Sequence, residues 1–579
     1  MSKILRVDMT DLTAKHEDVP AKYNLLGGRW FTSSIIADEV EPTCHPLGPN
    51  NKLVFAPGIV TGTDAPTSAR ISVGGKSPLT GTIKESNAGS KFSPMLANLG
   101  IKAIVVQGQP KERKWYMLEI DKGGARLVPA DDLAGKGAYA TTDALIDKYG
   151  KVGVCCIGPA AEMKMSMAGV CFNDLRDRAS RYSGRGGLGA VMGAKGLKAI
   201  VVDDKGGPGV TIADKDLFDQ GCKKLAEALA THDITKPKGA LNTYGTAVLI
   251  NILNEAGGLP TRNFASGTFE GAPKIAGEAI FEGNKKRLGR ELYNHACSPG
   301  CIIQCSNTWH NRDGTEQVSC QEYESVWALG ANCGIDDLDT TGELIRICND
   351  LGVDTIEAGG TIAVAMEGGL AKFGDGQKAV ELMHEIGMGT PLGRILGQGA
   401  AFTGKALGVV RVPGVKGQNM PAYSPRAVKG IGVTYITSTQ GADHTIGYTI
   451  APELLSVGGK ADPLTPEGKA ELSRNFQIAT AFIDSTGYCL FIAFAILDIP
   501  EGFEGMVESC AGLLGTDWTS DDVTRIGKEI LKKERAFNEA AGFTRANDRP
   551  PEFMRYEPLP PHNQVWDVPD EALDSVWDF

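Results

Sequence analysis

The chain has 579 residues, 42% hydrophobic and 22% charged, which is ordinary usage for a globular protein with a large core and excludes a disordered chain or a short disulfide-linked scaffold. Lysine and arginine total 59 against 70 aspartates and glutamates, so the net charge of −11 disfavours nucleic acid and anionic membrane surfaces as partners. The 73 glycines are the main departure from average composition, and they predict many turns and places where backbone lies against a ligand.

Residues 1 to about 205 are predicted to be rich in β-strands. Short aliphatic or β-branched runs at 52–55, 103–106 and 199–202 lie between residues that are typical of turns. Few helices are expected in this part of the chain. From Ile212 onward the hydrophobic period changes to that of an amphipathic helix.

Further helical periods cover 342–351 and 377–386, and another begins after Thr519, where Asp521 and Asp522 suit a helix N-terminus. The sequence therefore predicts an α+β fold, with a β-rich N-terminal domain followed by two mainly helical domains. Boundaries in glycine- and proline-bearing stretches divide the chain into 1–210, 211–415 and 416–579.

The longest apolar run, 488–497, has ten residues, which is too short to span a bilayer and predicts a buried core segment. The N-terminus has no long apolar stretch with a cleavage site, so a cytoplasmic location is expected. Thirteen cysteines in a long chain do not resemble an extracellular disulfide framework, and most are expected to be reduced thiols or metal ligands.

Three of these cysteines form a local cluster. Cys297, Cys301 and Cys305 lie at four-residue intervals around a Pro-Gly pair, which opposes a regular helix with three core thiols on one face. Thiolates bind iron–sulfur clusters and zinc strongly. A fourth ligand is needed: zinc could recruit His310, whereas an iron–sulfur cluster could recruit a distant thiol such as Cys489.

Two glycine-rich basic segments are candidates for anion binding. Residues 184–189 match G-x-G-x-x-G, but the preceding segment is polar and basic, which excludes a dinucleotide-binding strand–loop–helix unit. The arginines around this loop suit phosphate, although a solvated basic turn fits the pattern equally well. The segment 70–89 has the same character and begins with Arg70.

Glu324 lies among apolar and aromatic residues, where burial should raise its pKa toward the range of a general base. His444 lies in a Gly/Thr-rich stretch. Taken singly, each fits a buried polar residue with satisfied hydrogen bonds. Residues 349–354 and 484–489 share a weak pattern whose spacing alone indicates two helix C-terminal turns.

Six segments together are recognisable: KSPLTGTI with SNAG, SGRGGLGAVMGAKGLKAI, EYESVWALGAN, NDLGVDTI, PAYSPR and DSTGYCLF. In this order they resemble the tungsten-containing aldehyde:ferredoxin oxidoreductase family over nearly the whole chain. The resemblance implies an N-terminal β domain as a base for the cofactor, with two helical domains closing over it. It also implies tungsten, less often molybdenum, held by two pterins with magnesium, beside a 4Fe-4S cluster.

The resemblance also implies roles for individual residues. Contacts to the pterins and magnesium fall on Arg70, Asn87, Ala88, Gly89, Arg181, Gly184, Asn349, Gly352, Val353, Asp354, Asp484, Gly487 and Tyr488. The cluster ligands are Cys297, Cys301, Cys305 and Cys489. Glu324 is expected to act as general base, and His444 as hydrogen-bond donor to the substrate oxygen or as proton shuttle.

The implied reaction is RCHO + H2O → RCOOH with release of two protons and two electrons, and the electrons pass through the cluster to ferredoxin or a ferredoxin-like Fe–S subunit. Two alternatives stay open at this point. One is the catalytic subunit of a complex that reduces an acid or an acyl-CoA. The other is a zinc-stabilised scaffold that uses the three clustered cysteines and His310.

Several positions differ from the family pattern. Asn349 replaces an aspartate, Ile446 stands where a pterin-binding lysine is expected, and the cluster spacing is Cys-x3-Cys-x3-Cys. An iron-binding ExxH motif at subunit interfaces of some relatives becomes Glu343-x-x-Arg346, so no bridging iron is expected although His384 persists.

Overall fold

The computed structural model describes residues 2–579. Its N-terminal part contains twelve strands. They are β1 (Lys3–Asp8), β2 (Thr13–Asp18), β3 (Leu53–Pro57), β4 (Arg70–Lys76), β5 (Ile83–Gly89), β6 (Ile101–Gln107), β7 (Tyr116–Asp121), β8 (Gly124–Pro129), β9 (Gly153–Cys156), β10 (Val170–Asn173), β11 (Ala179–Ser183) and β12 (Leu197–Val202). Each of the three aliphatic runs chosen from the sequence overlaps one of these strands, namely β3, β6 and β12.

The strands form two six-stranded sheets with the same topology. The first sheet has the order β2-β1-β6-β3-β4-β5, and the second has the order β8-β7-β12-β9-β10-β11. In each sheet one pair is parallel, β1 with β6 and β7 with β12, and the other pairs are antiparallel. The N-terminal part is therefore an internal duplication that the sequence analysis missed.

The N-terminal part also contains five helices, so the expectation of few helices was wrong. They are α1 (Gly28–Glu39), α2 (Phe92–Asn98), α3 (Ala138–Tyr149), α4 (Pro159–Glu162) and α5 (Leu188–Ala194). The first nine residues of α1 are all buried. A helix surrounded on all sides shows no polar face, so the period that identifies surface helices is absent from its sequence.

The rest of the chain is mainly helical. Its helices are α6 (Lys215–Thr231), α7 (Ala240–Tyr244), α8 (Leu249–Glu255), α9 (Ala272–Ile275), α10 (Gly277–Leu288), α11 (Tyr323–Leu329), α12 (Leu338–Leu351), α13 (Thr355–Glu367), α14 (Gly376–Met388), α15 (Pro391–Leu396), α16 (Ala400–Leu407), α17 (Lys429–Thr437), α18 (Ile450–Leu454), α19 (Lys469–Thr486), α20 (Ile492–Asp498), α21 (Pro500–Leu514), α22 (Ser520–Ala540) and α23 (Asp570–Ser575). Two hairpins interrupt them: β13 (Trp309–His310) with β14 (Glu316–Val318), and β15 (Gly414–Val415) with β16 (Gln418–Asn419). The predicted α+β class is confirmed, and α6, α12, α14 and α22 match the four predicted helical periods.

The three proposed segments remain a prediction. Helix α6, from the second segment, packs along α21 from the third, and the boundary at 415 lies inside the β15–β16 hairpin. None of the thirteen cysteines forms a disulfide bond. Within residues 2–579, no helix has the length and apolar character needed to cross a membrane.

Two glycine contacts join the helical part to the sheets. Helix α12 ends before Gly352 (φ 72°) and α19 ends before Gly487 (φ 97°), so both echoed segments are helix C-terminal turns, as their spacing predicted. A Cβ on Gly58, just after β3, would lie 2.1 Å from the Cα of Gly487. A Cβ on Gly352 would lie 2.9 Å from the nitrogen of Gly158, which follows the equivalent strand β9. The same close approach therefore occurs once on each sheet.

Candidate functional site

A cavity of about 380 Å³ lies where residues of the edge strands β5 and β11 meet loops of the helical part. Most of the residues predicted for the site line this cavity. They are Arg70, Asn87, Ala88, Gly89, Arg181, Gly184, Cys297, Cys305, Glu324, Asn349, Val353, Asp354, His444, Asp484 and Cys489. Residues up to 419 positions apart in the chain thus form one site.

Four predicted residues do not line the cavity. Gly352 and Gly487 lie in the helix C-terminal turns that pack against the two sheets. The hydroxyl of Tyr488 lies 2.7 Å from Ser509 Oγ in the core, so its side chain is directed away from the cavity. The Cys301 thiol accepts the backbone N–H of Gln304 at 3.4 Å.

One wall of the cavity carries thiols. Cys297, Cys305 and Cys489 line it, and Arg70 Nη2 donates to Cys489 Sγ at 2.8 Å. A Cβ on Gly89 would lie 2.9 Å from Cys297 Sγ, so only glycine lets strand β5 approach this thiol so closely. The fold therefore brings the distant Cys489 to the three-cysteine loop.

The zinc alternative lacks geometric support. His310 Nδ1 lies 3.1 Å from Asn284 Oδ1, in the contact that occupies its ring. Among residues 2–579, no three His, Cys, Asp or Glu side chains are grouped as ligands of a single metal ion. A 4Fe-4S cluster binds each cysteine through a different iron, so its four thiols stand farther apart than those around one zinc ion.

The same cavity is also lined by an acid–base pair. Glu324, in the first turn of α11, accepts the backbone N–H of Ala422 through Oε2 at 3.0 Å. Its other oxygen, Oε1, lies 3.4 Å from His444 Nε2. Burial raises the pKa of Glu324 to about 8 and lowers the pKa of His444 to about 4. The predicted rise in the pKa of Glu324 thus has the expected cause.

A charged pair stands behind His444. The Asp443 carboxylate receives Lys84 Nζ at 2.9 Å, and both side chains are buried. Burial raises the pKa of Asp443, but the positive charges of Lys84 and Arg185 lower it by more than burial raises it. The pKa of Asp443 therefore lies below its ordinary value. Asp443 Oδ1 faces His444 Nδ1 at 3.7 Å. A permanent negative charge therefore lies next to the imidazole.

Several buried polar atoms at the cavity have no hydrogen-bond partner within the described part of the chain. They are Glu85 Oε1, Arg181 Nε, Glu324 Oε1 and His444 Nδ1. Buried polar atoms are normally paired, so these atoms indicate a bound polar group that offers both donors and acceptors. Together with the thiols and arginines, they fit an anionic organic cofactor beside an iron–sulfur cluster.

Two family models cover nearly the whole chain. "Aldehyde ferredoxin oxidoreductase, N-terminal domain" matches residues 4–204, and "Aldehyde ferredoxin oxidoreductase, domains 2 & 3" matches residues 220–579. The chain belongs to the aldehyde ferredoxin oxidoreductase family. The resemblance inferred from the six sequence segments is confirmed.

Similar proteins agree with this assignment. The tungsten-containing aldehyde ferredoxin oxidoreductases of Pyrococcus abyssi and Thermococcus kodakarensis are 37% and 36% identical, each over 96% of this chain and 92% of the relative. An aliphatic sulfonate oxidoreductase, WOR-like subunit, of Pyrococcus furiosus is 25% identical over 96% of this chain and 90% of its own. The active site complex BamBC of benzoyl coenzyme A reductase with 1,5-dienoyl-CoA has a TM-score of 0.80 at 19% identity, covering 100% of this chain and 93% of that one. This last likeness concerns the fold alone.

The sequence analysis counted Arg185 among the arginines that suit an anion but gave it no role of its own. Its guanidinium donates to Asp354 at 3.0 Å and to the carbonyls of Ala442 and Asn419 at 2.7 Å each. It therefore links the β11 loop to the N-terminus of α13 and to the segment that carries His444. The signal was present, because Arg185 is the second residue of the G-x-G-x-x-G match.

A fifth thiol was also missed. Cys320 lines the cavity 3.3 Å from Arg181 Nη2, which also donates to Ser306 Oγ at 2.5 Å. Glu322 lines the cavity beside it. The sequence held a signal, since Cys320 precedes Glu324 by four residues.

Three of the positions that differ from the family pattern have defined contacts. Asn349 donates to Tyr139 Oη and to the Ser319 carbonyl, both at 3.2 Å. Ile446 forms a buried apolar part of the cavity wall. Arg346 stacks on the Tyr139 ring at 4.6 Å.

Proposed function

We propose that this chain oxidises aldehydes to carboxylic acids at tungsten held by two pterins, and that it passes the electrons through a 4Fe-4S cluster to ferredoxin or a ferredoxin-like Fe–S subunit. The observation that carries the proposal is one cavity lined both by thiols and by the Glu324–His444 pair. The printed names of the relatives support the substrate, the metal and the electron acceptor.

Two groups of residues would hold the pterins and magnesium, one from the N-terminal part and one from the helical part. From the N-terminal part, Arg70, Asn87, Ala88, Gly89, Arg181 and Gly184 would contact the pterins and magnesium; from the helical part, Asn349, Val353, Asp354 and Asp484 would do so. Cys297, Cys301, Cys305 and Cys489 would bind the cluster. When bound, the tungsten–pterin group would supply the two-electron oxidation, and the cluster would supply one-electron transfer.

Glu324 is the proton acceptor in this proposal. Its carboxylate accepts a proton from water or from the aldehyde hydrate, and a pKa near 8 makes it a stronger base than an exposed glutamate. His444 Nε2, 3.4 Å away, hydrogen-bonds to the substrate oxygen. Burial lowers the pKa of His444 to about 4, so the imidazole stays neutral although the Asp443 carboxylate lies 3.7 Å from its Nδ1.

Aromatic side chains limit the access of water to this pair. The Tyr423 and Tyr448 hydroxyls lie 2.9 Å apart, and their rings lie 6.0 and 6.2 Å from the His444 ring. Both tyrosines are buried. Exclusion of water strengthens the electrostatic effect of Asp443 on His444.

The test uses the purified metal-loaded protein. Elemental analysis should find tungsten or molybdenum and about four irons per chain. Aldehyde addition should then reduce ferredoxin or an artificial one-electron acceptor. If the loaded protein oxidises no aldehyde but reduces an acid or an acyl-CoA with reduced ferredoxin, the reductive alternative replaces this proposal.

A further inference from the structure

His444 stands next to a buried ion pair that the proposed function does not use. Asp443 Oδ2 accepts Lys84 Nζ at 2.9 Å, and the side chains of Lys84 and Asp443 are only 1% and 6% exposed. Asp443 Oδ1 accepts the backbone N–H and the hydroxyl of Thr445 at 3.2 and 3.0 Å. Both oxygens of this carboxylate are therefore held, and its position beside the imidazole is fixed.

The fold also holds Lys84 in place. Lys84 lies on the edge strand β5, and a Cβ on Gly186 would lie 2.5 Å from its Cγ. Gly186 has a φ of 82°, so glycine suits both the backbone and the close approach in the loop after β11. Arg185, next to it, donates to the Ala442 carbonyl at 2.7 Å. Strand β5 and this loop together fix the segment that carries the imidazole.

The ion pair decides which imidazole nitrogen carries the hydrogen. His444 Nδ1 is buried and has no hydrogen-bond partner among residues 2–579, and Asp443 Oδ1 lies 3.7 Å from it. A carboxylate repels the lone pair of a neutral imidazole and attracts its N–H dipole, most strongly where water is excluded. The hydrogen therefore belongs on Nδ1, and Nε2 keeps its lone pair and acts as an acceptor.

With this tautomer, two acceptors converge at the cavity. His444 Nε2 lies 3.4 Å from Glu324 Oε1, and that oxygen receives no donor from the described part of the chain. The other oxygen, Oε2, already accepts the Ala422 N–H. A carbonyl oxygen, which only accepts, finds no donor at these two atoms when Glu324 is ionised. The hydrate of an aldehyde carries two O–H donors on one carbon and matches both acceptors.

We propose that Lys84 and Asp443 are positioning residues that fix the Nδ1–H tautomer of His444, and that His444 Nε2 and Glu324 Oε1 together bind the aldehyde as its hydrate. This inference rests on the proposed aldehyde oxidation. It selects the hydrate, and not water, as the proton donor to Glu324.

The reaction of the hydrate balances without a further reactant. The hydrate forms in solution from RCHO and H2O, and its oxidation is RCH(OH)2 → RCOOH + 2 H⁺ + 2 e⁻. One O–H bond breaks and its proton passes to Glu324. The C–H bond also breaks: its electron pair leaves to two one-electron carriers of the ferredoxin type, and its proton leaves to water.

The first test measures binding without turnover, above pH 8, where Glu324 is ionised. Trifluoroacetone is almost wholly hydrated in water, and its hydrate cannot be oxidised because the central carbon bears no hydrogen. Trifluoroisopropanol has the same CF3 and CH3 groups but a single hydroxyl. Both are followed by their fluorine resonances in the holoenzyme without an electron acceptor. The hydrate should bind about tenfold tighter, because it makes one more hydrogen bond. Equal affinities, or tighter binding of the alcohol, would overturn the proposal.

Two matched variants distinguish this ion pair from other buried ion pairs. Asp443→Asn keeps the shape and removes the charge, so the preference for the hydrate should fall to within about threefold. Asp548→Asn breaks the pair of Lys416 with Asp548, whose side chains are 4% and 7% exposed and lie outside the cavity. This control should keep the tenfold preference. A preference that survives in Asp443→Asn, or that is lost in both variants, overturns the role of the pair.

A second variant covers poor folding of the first. Asp443→Asn leaves the Lys84 cation buried without its partner, which is costly and can reduce metal loading. The double variant Lys84→Met, Asp443→Asn removes both charges and leaves neither unpaired. It should load metal and show the same loss of preference for the hydrate. A tenfold preference in the loaded double variant contradicts the proposal.

The second test needs only the unchanged holoenzyme. Neutron diffraction from crystals exchanged into D2O, again above pH 8, should place a deuteron on His444 Nδ1 and none on Nε2. A deuteron on Nε2 overturns the proposal, whatever the variants show. If the tautomer and the preference for the hydrate are found but no aldehyde is oxidised, the proposed function has failed and the hydrate-binding site stands. If aldehydes are oxidised without that preference, the proposed function stands and this inference fails.

Discussion

The two sheets of the N-terminal part have one topology but serve the cavity differently. In each sheet a glycine contacts the turn that follows a long helix. This glycine is Gly58 in the first sheet and Gly158 in the second. On the first sheet the turn continues to Cys489, which faces Arg70. On the second sheet the turn after Gly352 continues to Asp354, which pairs with Arg185.

The two sheets therefore share one backbone topology, and a few side chains give them different roles at the cavity. The first side presents a thiol next to a guanidinium, which suits an iron–sulfur cluster and electron transfer. The second side presents carboxylates and Arg185, which also binds the carbonyl that precedes Asp443 and His444. We therefore expect substitutions on the first side to affect electron transfer and substitutions on the second to affect proton transfer.

The largest effect is expected for Cys489→Ser on the first side. Loss of the fourth thiolate should remove or degrade the cluster, so iron content and the paramagnetic signal of the reduced protein should fall and turnover should drop to background. Cys222→Ser, at a half-buried thiol outside the cavity, is the control and should keep both. Unchanged iron in Cys489→Ser would remove this residue from the ligand set.

Glu324→Gln tests proton transfer and is expected to have the next largest effect on turnover. Loss of a general base should lower turnover by about 10² to 10⁴, while metal and iron contents stay unchanged because shape is preserved. His444→Asn should also lower turnover, and the double variant should lose less than the product of the single losses, because both residues address one substrate. Near-normal turnover in fully loaded Glu324→Gln would leave the carboxylate with a structural role only.

The dependence of kcat/KM on pH should show the ionisation of the Glu324 carboxylate. Since the pKa of Glu324 is raised to about 8, the active carboxylate form grows as pH rises toward 8 and is lost below it. kcat/KM should therefore fall about tenfold per pH unit between roughly pH 7.5 and 6, and it should level off above 8. In Glu324→Gln the fall of kcat/KM between pH 7.5 and 6 should disappear. A wild-type profile that is level from pH 6 to 9 would contradict the assignment.

The smallest effects are expected for the two turn glycines, where the comparison concerns stability. Gly487→Ala combines a φ of 97° with a Cβ 2.3 Å from Thr61 Oγ1, and should cost about 2–4 kcal/mol. Gly352→Ala, with the nearest atom at 2.9 Å, should cost about 1–3 kcal/mol. Gly542→Ala, at φ 99° with open space, isolates the backbone strain. Thermal inactivation rates should rank the three, and equal losses would mean that the contacts add nothing.

The sequence by itself determined much of this molecule. Amphipathic periods located α6, α12, α14 and α22, and the Pro-Gly turn between Cys297 and Cys305 excluded a helix there. Six local motifs identified the family, and the apolar neighbours of Glu324 predicted its raised pKa. These properties depend on residues close in the chain, so their signals are written in short segments.

Only the tertiary structure decided the rest. Packing, and not spacing, turned the Tyr488 side chain toward Ser509 and joined Arg185 to Asp354. The helix α1 leaves little periodic signal because its first nine residues are all buried. Contacts between distant segments form only when the chain closes long loops around a common core, and no local pattern records which segments will meet.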